Sequence, residues 1–394
     1  MKIITRTIWI LSLVSMFTDI ASEMLYPVMP IYLKKIGFSV MIIGLLEGFA
    51  EATAGLSKGY FGKMSDNTGK RLPFVRWGYF LSAVSKPMMA AFIYPLWVFL
   101  ARTTDRLGKG VRTAARDAML SDEATAKTKG TVFGFHRSMD TLGAFIGPIV
   151  ALLLLYFFPG QYRMIFLLAF IPGLAAIGFT WILKDKKASP KESGLKTNFF
   201  DFFSYWRDAN SDYRRLVTGL LIFALFNSSD VFLLLKISEA GYSDTITVGS
   251  YIFYNLIFAL LAYPFGILAD KLGLKKIFVS GLVLFAIVYA GISVNDNFYV
   301  FLALFFLYGA YAAATEGVAK AWITNITQKE NTATAIGTYT AFQSICTLLA
   351  SSITGFLWYQ FNAKIAFLTI AIVSFVLIFY FLSLNKATVN KQEE

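Results

Sequence analysis

The chain has 394 residues, of which 57% are hydrophobic, 17% aromatic and only 15% charged, and its mean hydropathy is +0.60. An average soluble domain carries about 25% charged residues, so this composition excludes an ordinary soluble protein. Apolar runs long enough to cross the hydrocarbon core as a helix, about 20 residues each, recur along the chain. Because these runs are continuous rather than alternating, the sequence predicts an all-α membrane protein and excludes a membrane β-barrel.

The apolar runs predict twelve transmembrane helices in two sets of six. The first set lies at residues 8–33, 39–62, 74–93, 95–119, 132–158 and 163–183, and the second at 216–238, 246–269, 275–294, 297–324, 332–359 and 363–384. Residues 184–215 between them are basic and rich in Phe, Tyr and Trp, which predicts a cytoplasmic linker with an interfacial helix, or else a disordered linker. The predicted domains are therefore an N-terminal bundle at 1–183, the linker at 184–215 and a C-terminal bundle at 216–394.

The net charge of +12 would suggest a nucleic-acid partner in a soluble protein. Here the lysines and arginines concentrate in the loops between spans 2 and 3, 4 and 5, and 8 and 9. By the positive-inside rule these loops are cytoplasmic. This distribution predicts a multi-pass protein of the bacterial inner membrane with both termini in the cytoplasm, and no nucleic-acid partner.

The residues that enzyme chemistry needs are scarce. The single cysteine, Cys346, excludes an intramolecular disulfide, and the single histidine argues against a histidine-based metal site. No nucleotide-binding loop and no nucleophile–histidine set occurs in the sequence. We therefore predict no enzymatic activity, no cofactor and no metal.

A short pattern of glycine, aspartate and basic residues follows span 2 and recurs after span 8. Asp66 and Asp270 hold the same place in it, 204 positions apart. The pattern, Gly-x-x-x-Asp-x-x-Gly-x-basic, resembles the loop signature of the major facilitator superfamily. The resemblance implies two pseudo-symmetric six-helix bundles, secondary active transport by alternating access, and a conformational-switch role for Gly62, Asp66, Gly69, Lys70, Arg71, Gly266, Asp270 and Gly273.

A second resemblance lies in span 5, where Gly143, Gly147 and Pro148 are similar to the motif found in antiporters of this superfamily. The alternative interpretation is a packing face of small residues with a proline kink, which is common in membrane helices. The motif favours export over uptake.

Ionisable residues at membrane depth are costly and point to function. Asp19 and Glu23 lie four positions apart on span 1 and so share one helical face. Such a pair can take up and release a proton or hold a cation between its oxygens, or it can pair statically with a basic residue of another span. The basic candidates are Lys86, Arg102, Arg106 and Arg137. Glu47 and Glu51 repeat the acidic arrangement on span 2, where they line the cavity or bridge to span 4.

Span 4 carries a strongly basic helical face that cannot be exposed to lipid. We expect Arg102 and Arg106 to neutralise the acids of spans 1 and 2 or to attract an anionic group of the substrate. Further along the same face, Arg112 and Arg116 are expected to reach the cytoplasmic interface.

Fewer charges occur in the remaining spans. His136, Arg137 and Asp140 lie on span 5, where the histidine is either a proton relay or a hydrogen-bonding residue near the cytoplasmic gate. The second half contributes Asp230, and Glu316 with Lys320 four positions later, a pair that can neutralise itself. This asymmetry predicts coupling chemistry in the first half and an apolar, aromatic substrate surface in the second.

The function predicted from these features is a secondary active transporter that moves a small solute across the inner membrane, with proton-coupled efflux as the favoured mode. A proton-coupled uptake symporter for a solute or a metal chelate is the main alternative, followed by a channel or a lipid-handling protein. The expected partners are a small-molecule substrate, protons and the lipid bilayer, and the protein is expected to be monomeric.

Overall fold

The computed structural model describes residues 3–26, 28–185 and 200–384, and within this part of the chain the regular structure is helical without strands. The predicted all-α fold is therefore confirmed. The helices are, in chain order, α1 Arg6–Glu23, α2 Met29–Lys35, α3 Val40–Thr68, α4 Leu72–Ala91, α5 Pro95–Asp122, α6 Lys129–Phe157, α7 Tyr162–Ile182, α8 Tyr205–Asp208, α9 Ser211–Phe226, α10 Asp230–Glu239, α11 Asp244–Leu272, α12 Leu274–Val294, α13 Phe298–Asn325, α14 Thr332–Gln360 and α15 Ala363–Ser383. Short 3-10 turns precede α8 and α14.

Two of the predicted spans are interrupted, so their prediction as single helices is wrong. Span 1 ends as α1 at Glu23 and resumes as α2 at Met29, and span 7 ends as α9 at Phe226 and resumes as α10 at Asp230. In the second case the intervening residues 227–229 are Asn-Ser-Ser, whose side chains compete with the helical hydrogen bonds. Ser229 then starts the new helix by accepting a hydrogen bond from the N–H of Val231 at 3.4 Å.

Among the described residues, eight helical segments are long and apolar enough to cross a membrane. They comprise α6, α7, the α9–α10 pair and α11 to α15. The other long helices, α1, α3, α4 and α5, contain most of the ionisable residues that the sequence places at membrane depth.

The chain forms two compact units, and unit 1 consists of Met1–Glu123, Met139–Asp208 and Gln328–Ala341. Within it α5 packs against α3 and α4, while α7 packs against α1 and α4. Close contacts at glycine hold α5 in place: a Cβ on Gly108 would lie 2.7 Å from the Ser82 hydroxyl of α4, and a Cβ on Gly110 would lie 3.0 Å from the carbonyl of Ala54 in α3. The basic helix α5 is therefore enclosed by its neighbours.

Unit 2 consists of Ala124–Ser138, Ala209–Thr327 and Phe342–Glu394. Here α13 packs against α11 and α12, and α15 packs against α12 and α9. These pairs are the pairs of unit 1 shifted by eight helices, so the internal repeat of the sequence reappears in the packing. The start of α6 belongs to unit 2 and the start of α14 belongs to unit 1, which differs from the predicted division into residues 1–183 and 216–394. That division stays a prediction.

The end of the linker is attached to unit 1. Phe202 is fully buried next to Gly59 of α3, and its carbonyl accepts a hydrogen bond from the Thr338 hydroxyl at 3.1 Å. Lys63 of α3 donates to the carbonyl of Asp201 at 2.8 Å. Residues 186–199 of the predicted linker lie outside the described residues.

Candidate functional site

A polar cavity lies inside unit 1 between α1 and α5. It encloses about 40 Å³, whereas a single buried water needs about 10–15 Å³, so it has room for a few waters or for the head group of a ligand. Its lining residues are Asp19, Ser22, Glu23, Tyr26, Arg102, Asp105, Arg106, Lys109 and Arg112. Seven of these nine carry a formal charge, a density that a membrane protein maintains only at considerable cost.

The acidic side of the cavity is formed by Asp19 and Glu23 on α1. Among the described residues neither carboxylate forms an ion pair, and the Oε2 atom of Glu23 is buried with no hydrogen-bond partner. The nearby charges that act on Asp19 are Lys109, Arg112, Asp140 and Glu23 itself. The structure therefore places the two predicted acids near basic groups, but neither acid forms an ion pair with a described basic residue.

The basic side of the cavity is formed by Lys109 and Arg112 on α5. Lys109 is exposed, whereas Arg112 is only 4% exposed. The guanidinium of Arg112 lies over the ring of Tyr79, 4.6 Å from its centroid, and Nη1 donates to the Ser82 hydroxyl at 2.5 Å. Its Nε is buried and has no hydrogen-bond partner in the described part of the chain. The prediction that Arg112 reaches the cytoplasmic interface is wrong, because Tyr79 and Ser82 hold the side chain inside the unit.

Lys86 of α4 does not pair with Asp19 or Glu23. Its Nζ donates to Asp105 at 2.6 Å and to the Ser22 hydroxyl at 3.1 Å. Arg102 approaches the other carboxylate oxygen of Asp105 at 3.7 Å. Asp105 is thus neutralised by two basic groups and forms a fixed wall of the cavity.

A further pair joins α5 to α3. The Nε of Arg106 lies 3.1 Å from the carboxylate of Glu51, whose side chain is 57% exposed. Glu51 therefore bridges to span 4, which is one of the two roles predicted for the acids of span 2. The side chain of Glu47 lies outside the described residues.

Below the cavity, Arg116 lies in a buried network instead of reaching the cytoplasmic interface. It donates to Asp117 at 2.9 and 3.0 Å and to the Ser15 hydroxyl at 2.9 Å. Ser15 in turn donates to Asp140 at 2.5 Å. The prediction of an interfacial Arg116 is wrong because these polar partners lie within the unit, and Asp140 of α6 is fixed by the same network.

The glycines of the span-5 motif pack directly on α1. A Cβ on Gly143 would lie 3.0 Å from the Cβ of Asp19, and a Cβ on Gly147 would lie 2.8 Å from the Cβ of Glu23. Pro148 follows within the same helix, α6. The motif therefore forms a packing face of small residues, as its alternative interpretation predicts. This face positions the two acids.

The predicted residues of the second half, together with Arg137, lie in unit 2. Arg137 pairs with Glu316 and lies over the ring of Phe258. It therefore does not pair with Asp19 or Glu23. For the same reason Glu316 is not neutralised by Lys320 alone. Asp230 accepts a hydrogen bond from the Tyr308 hydroxyl at 2.6 Å. Around it the rings of Tyr254, Tyr308, Tyr311, Tyr289 and Phe285 contact one another. His136 is buried in the same unit.

The two repeated aspartates cap helices. Asp66 accepts hydrogen bonds from the N–H groups of Ala333 and Thr334, at 3.3 and 2.6 Å, and from the Thr334 hydroxyl at 2.8 Å. Asp270 accepts from the N–H groups of Gly130 and Thr131 at 2.8 and 2.6 Å. The first residue therefore caps α14 and the second caps α6, where a carboxylate is stabilised by the helix dipole.

The other loop residues shape the turns after α3 and α11. Gly69 ends α3 with φ of 64°, and Gly273 separates α11 from α12 with φ of 103°, both in the region that favours glycine. A Cβ on Gly62 would lie 2.5 Å from the carbonyl oxygen of Ala333. A Cβ on Gly266 would likewise clash with the carbonyl oxygen of Gly130. Arg71 is buried, 3.6 Å from Asp66 and 3.3 Å from Asp122, whereas Lys70 is exposed.

Sequence reasoning missed the neutral residues that orient the charges, namely Ser15, Ser22, Tyr79 and Ser82. A signal was present for α4, because Ser82, Ser85 and Lys86 follow one another at three- and one-residue steps on one face. Serines on membrane helices are common, so their spacing alone does not separate a site from ordinary packing.

Long apolar helices, a repeated packing order and a charged cavity inside one unit are typical of a multi-pass membrane transporter. The sequence matches the family model described as Major Facilitator Superfamily over residues 11–258 and 235–394. The chain therefore belongs to the major facilitator superfamily, as predicted, and is a secondary transporter.

Individual relatives agree with this assignment. The chain is 30% identical over 386 residues to an uncharacterised MFS-type transporter of Methanocaldococcus jannaschii, covering 96% of this chain and 95% of the relative. It is 29% identical over 172 residues to an uncharacterised MFS-type transporter of Bacillus subtilis, covering 43% of this chain and 41% of the relative.

Solved structures of the superfamily share the fold. The human organic anion transporter MFSD10 superposes with a TM-score of 0.78 at 15% identity, over 95% of this chain and 99% of that chain. The fucose:proton symporter of E. coli superposes with a TM-score of 0.76 at 12% identity, over 96% and 98%. At these identities the likeness concerns the fold alone.

Proposed function

We propose that the protein is a proton-coupled secondary transporter in which Asp19 and Glu23 carry the coupling proton. The observation that carries this proposal is that both carboxylates line the charged cavity and form no ion pair among the described residues. Protonating an ion-paired carboxylate abolishes its attraction to the basic partner. Asp19 and Glu23 can change their protonation state without that loss.

The remaining acids of the same unit suit a structural role better. Asp105 is held by Lys86 and Arg102, and Glu51 is held by Arg106. Asp140 is held by Ser15, with Arg116 4.0 Å away. A proton on any of these groups would break an existing hydrogen bond or ion pair, so the acids of α1 are the better carriers.

Proton uptake at α1 alters the charge balance of the cavity. The charges facing Asp19 are Lys109 and Arg112 from α5, Asp140 from α6, and Glu23 from its own helix. Neutralising Asp19 leaves the basic groups of α5 in excess. The affinity of the cavity for a charged solute therefore depends on whether the proton is bound, which is the requirement for coupling.

We further propose that transport is outward, in exchange for protons, because the Gly143–Pro148 segment that resembles the antiporter motif packs against the two acids. On this proposal the protein is a monomer of the inner membrane with both termini in the cytoplasm. The positive-inside distribution of lysine and arginine supports that orientation.

The test uses purified protein in liposomes that contain a trapped pH-sensitive dye. Drugs, sugars, amino acids, organic anions and metal chelates are screened for solute-dependent proton movement. Asp19→Asn is expected to abolish this signal while retaining the wild-type melting temperature. The matched control is Glu239→Gln, which alters an exposed acid at the end of α10 and is expected to behave like the wild type.

The same assay decides the direction of coupling. In an exchanger the solute enters the liposome as protons leave, whereas in a symporter the two move the same way. Proton movement of wild-type size in Asp19→Asn would show that the coupling residue lies elsewhere. Solute flux without proton movement in the wild-type protein would reject proton coupling altogether.

A further inference from the structure

Two acids and two bases that line the charged cavity of unit 1 have no ion-pair partner among the described residues. Lys109 and Arg112, like Asp19 and Glu23, form no ion pair within 4 Å among the described residues. Opposite charges attract strongly in a medium of low dielectric and would pair if their side chains could meet. Here they line the same cavity on two different helices, α1 and α5, and remain apart.

Among the described residues, two that line this cavity have a buried side-chain atom with neither a hydrogen-bond nor an ion-pair partner. One is the Nε of Arg112, a donor on a side chain that is 4% exposed, and the other is the Oε2 of Glu23, an acceptor. A buried polar atom without a partner is destabilising, and native structures contain few of them. A donor and an acceptor left unsatisfied on opposite sides of one cavity indicate a ligand that offers both functions.

The other lining charges already have ion-pair partners. Asp105 is bound by Lys86 and Arg102, and Arg106 is bound by Glu51. The charges that remain are two negative groups on α1 and two positive groups on α5. A simple anion would satisfy α5 and leave Glu23 without a partner, and a simple cation would leave Arg112 without one.

We infer that the cavity binds the head group of a zwitterionic solute that carries an ammonium group and a carboxylate. The carboxylate meets Arg112 and Lys109, since a guanidinium is well suited to binding carboxylates. The ammonium group meets Asp19 and Glu23. A volume of about 40 Å³ accommodates such a head group but not a bulky solute in full.

This inference rests on the proposed function and adds a reason for exchange. The ammonium group of the solute and the coupling proton would occupy the same carboxylates, so they cannot bind together. Mutual exclusion of this kind is what an exchanger requires, because the loaded and the protonated forms become alternatives.

The test measures equilibrium binding in detergent by calorimetry, without any ion gradient. The probes are glycine, β-alanine, 4-aminobutyrate and 5-aminovalerate, which differ in the separation of their charges. Butyrate and butylamine serve as analogues with one charge each. At least one zwitterion is expected to bind, and about tenfold or more tightly than either analogue, the size expected for losing a charge-assisted hydrogen bond.

Variants separate binding from folding. Arg112→Gln and Lys109→Gln are each expected to weaken zwitterion binding by about tenfold, by the same physical reasoning. Lys109 is exposed, so its replacement leaves the packing of the unit intact. Arg214→Gln removes an exposed arginine of α9 and is the matched control, with binding expected at the wild-type level.

Butyrate or butylamine binding as tightly as the best zwitterion would overturn the inference, as would the absence of binding by all four zwitterions. Wild-type affinity in Lys109→Gln together with Arg112→Gln would overturn it as well. Failure of the proposed function is distinguishable from these outcomes: zwitterion binding without proton movement in liposomes rejects coupling and retains the site. Proton movement driven by other solutes, without zwitterion binding, does the reverse.

Discussion

Lys86 and Asp105 form the most deeply buried ion pair of the cavity wall. Their side chains are 1% and 9% exposed, and the Nζ–Oδ1 distance is 2.6 Å. Removing one partner of a buried pair leaves an uncompensated charge, which is more damaging than replacing both partners. The stability of unit 1 therefore depends on this pair, although neither residue is proposed to carry the proton.

We expect Lys86→Met to destabilise the protein by about 3 kcal/mol, because Arg102, at 3.7 Å, is then the only ion-pair partner of Asp105 among the described residues. Thermal unfolding in detergent measures the change. The matched control, Lys276→Met, alters an exposed lysine of α12 and should unfold like the wild type. Adding Asp105→Asn to Lys86→Met should recover part of the loss, whereas equal unfolding temperatures for Lys86→Met and Lys276→Met would contradict the argument.

At this scale the sequence predicts which residues are charged at membrane depth but not which of them meet. Helical spacing places Asp19 and Glu23 on one face of α1, yet it does not define how the neighbouring helices are rotated. Arg137 is a reasonable partner for these acids by sequence, and the structure pairs it with Glu316 in unit 2 instead. Pairing is a tertiary property, and a single helical pattern contains no information about it.

At the scale of helices, the position of the acids depends on the contact between α1 and α6. Gly147→Ala would place a methyl group 2.8 Å from the Cβ of Glu23 and 2.9 Å from the carbonyl of Ile20. Overpacking of this kind typically costs about 1–3 kcal/mol. We therefore expect α1 to shift and coupled transport to fall.

Gly178→Ala is the control, because a Cβ at Gly178 of α7 has no neighbour within 4 Å. Alanine is the better helix former by about 1 kcal/mol, so this variant should be as stable as the wild type or more stable. Unfolding temperatures and proton-coupled flux are measured for both variants. Wild-type flux in Gly147→Ala would show that the α1–α6 contact does not position the acids.

The helices themselves follow well from the sequence, because long apolar runs leave little choice in a membrane. The interruptions after Glu23 and after Phe226 do not follow, since the runs remain apolar on both sides of each break. Their signals are Pro27 and the Asn227-Ser-Ser229 triplet. Such residues are tolerated inside membrane helices wherever neighbours satisfy the backbone, so their presence alone does not predict a break.

At the scale of the whole molecule the repeat governs both sequence and packing. The 204-residue offset between Asp66 and Asp270 is visible in the sequence, and both residues cap a helix N-terminus in the structure. The sequence indicates that such an aspartate caps a helix or meets a basic side chain. In each case the capped helix lies more than 130 positions away from the aspartate along the chain. Only the folded structure therefore shows which helix each aspartate caps.

The capping contacts predict how the transport cycle responds to mutation. Asn in place of Asp66 keeps one acceptor oxygen but loses the negative charge and the second acceptor, so the three hydrogen bonds from Ala333 and Thr334 cannot all persist. Loss of a helix cap costs about 1 kcal/mol, which corresponds to roughly a fivefold change in a rate. We expect Asp66→Asn to slow transport by about this factor and to leave solute binding in detergent unchanged, because Asp66 is not among the residues that line the cavity.

Asp208→Asn, an exposed acid of the same unit, is the matched control for charge removal. Asp270→Asn tests the equivalent cap in unit 2, and its effect should match that of Asp66→Asn because it also loses the negative charge and one of the two oxygens that accept from backbone N–H groups. Since the two caps lie in different units and share no partner, their free-energy effects should add in the double variant. A lost binding signal in Asp66→Asn would instead connect this loop to the solute site, and an unchanged rate would remove the cap from the transport cycle.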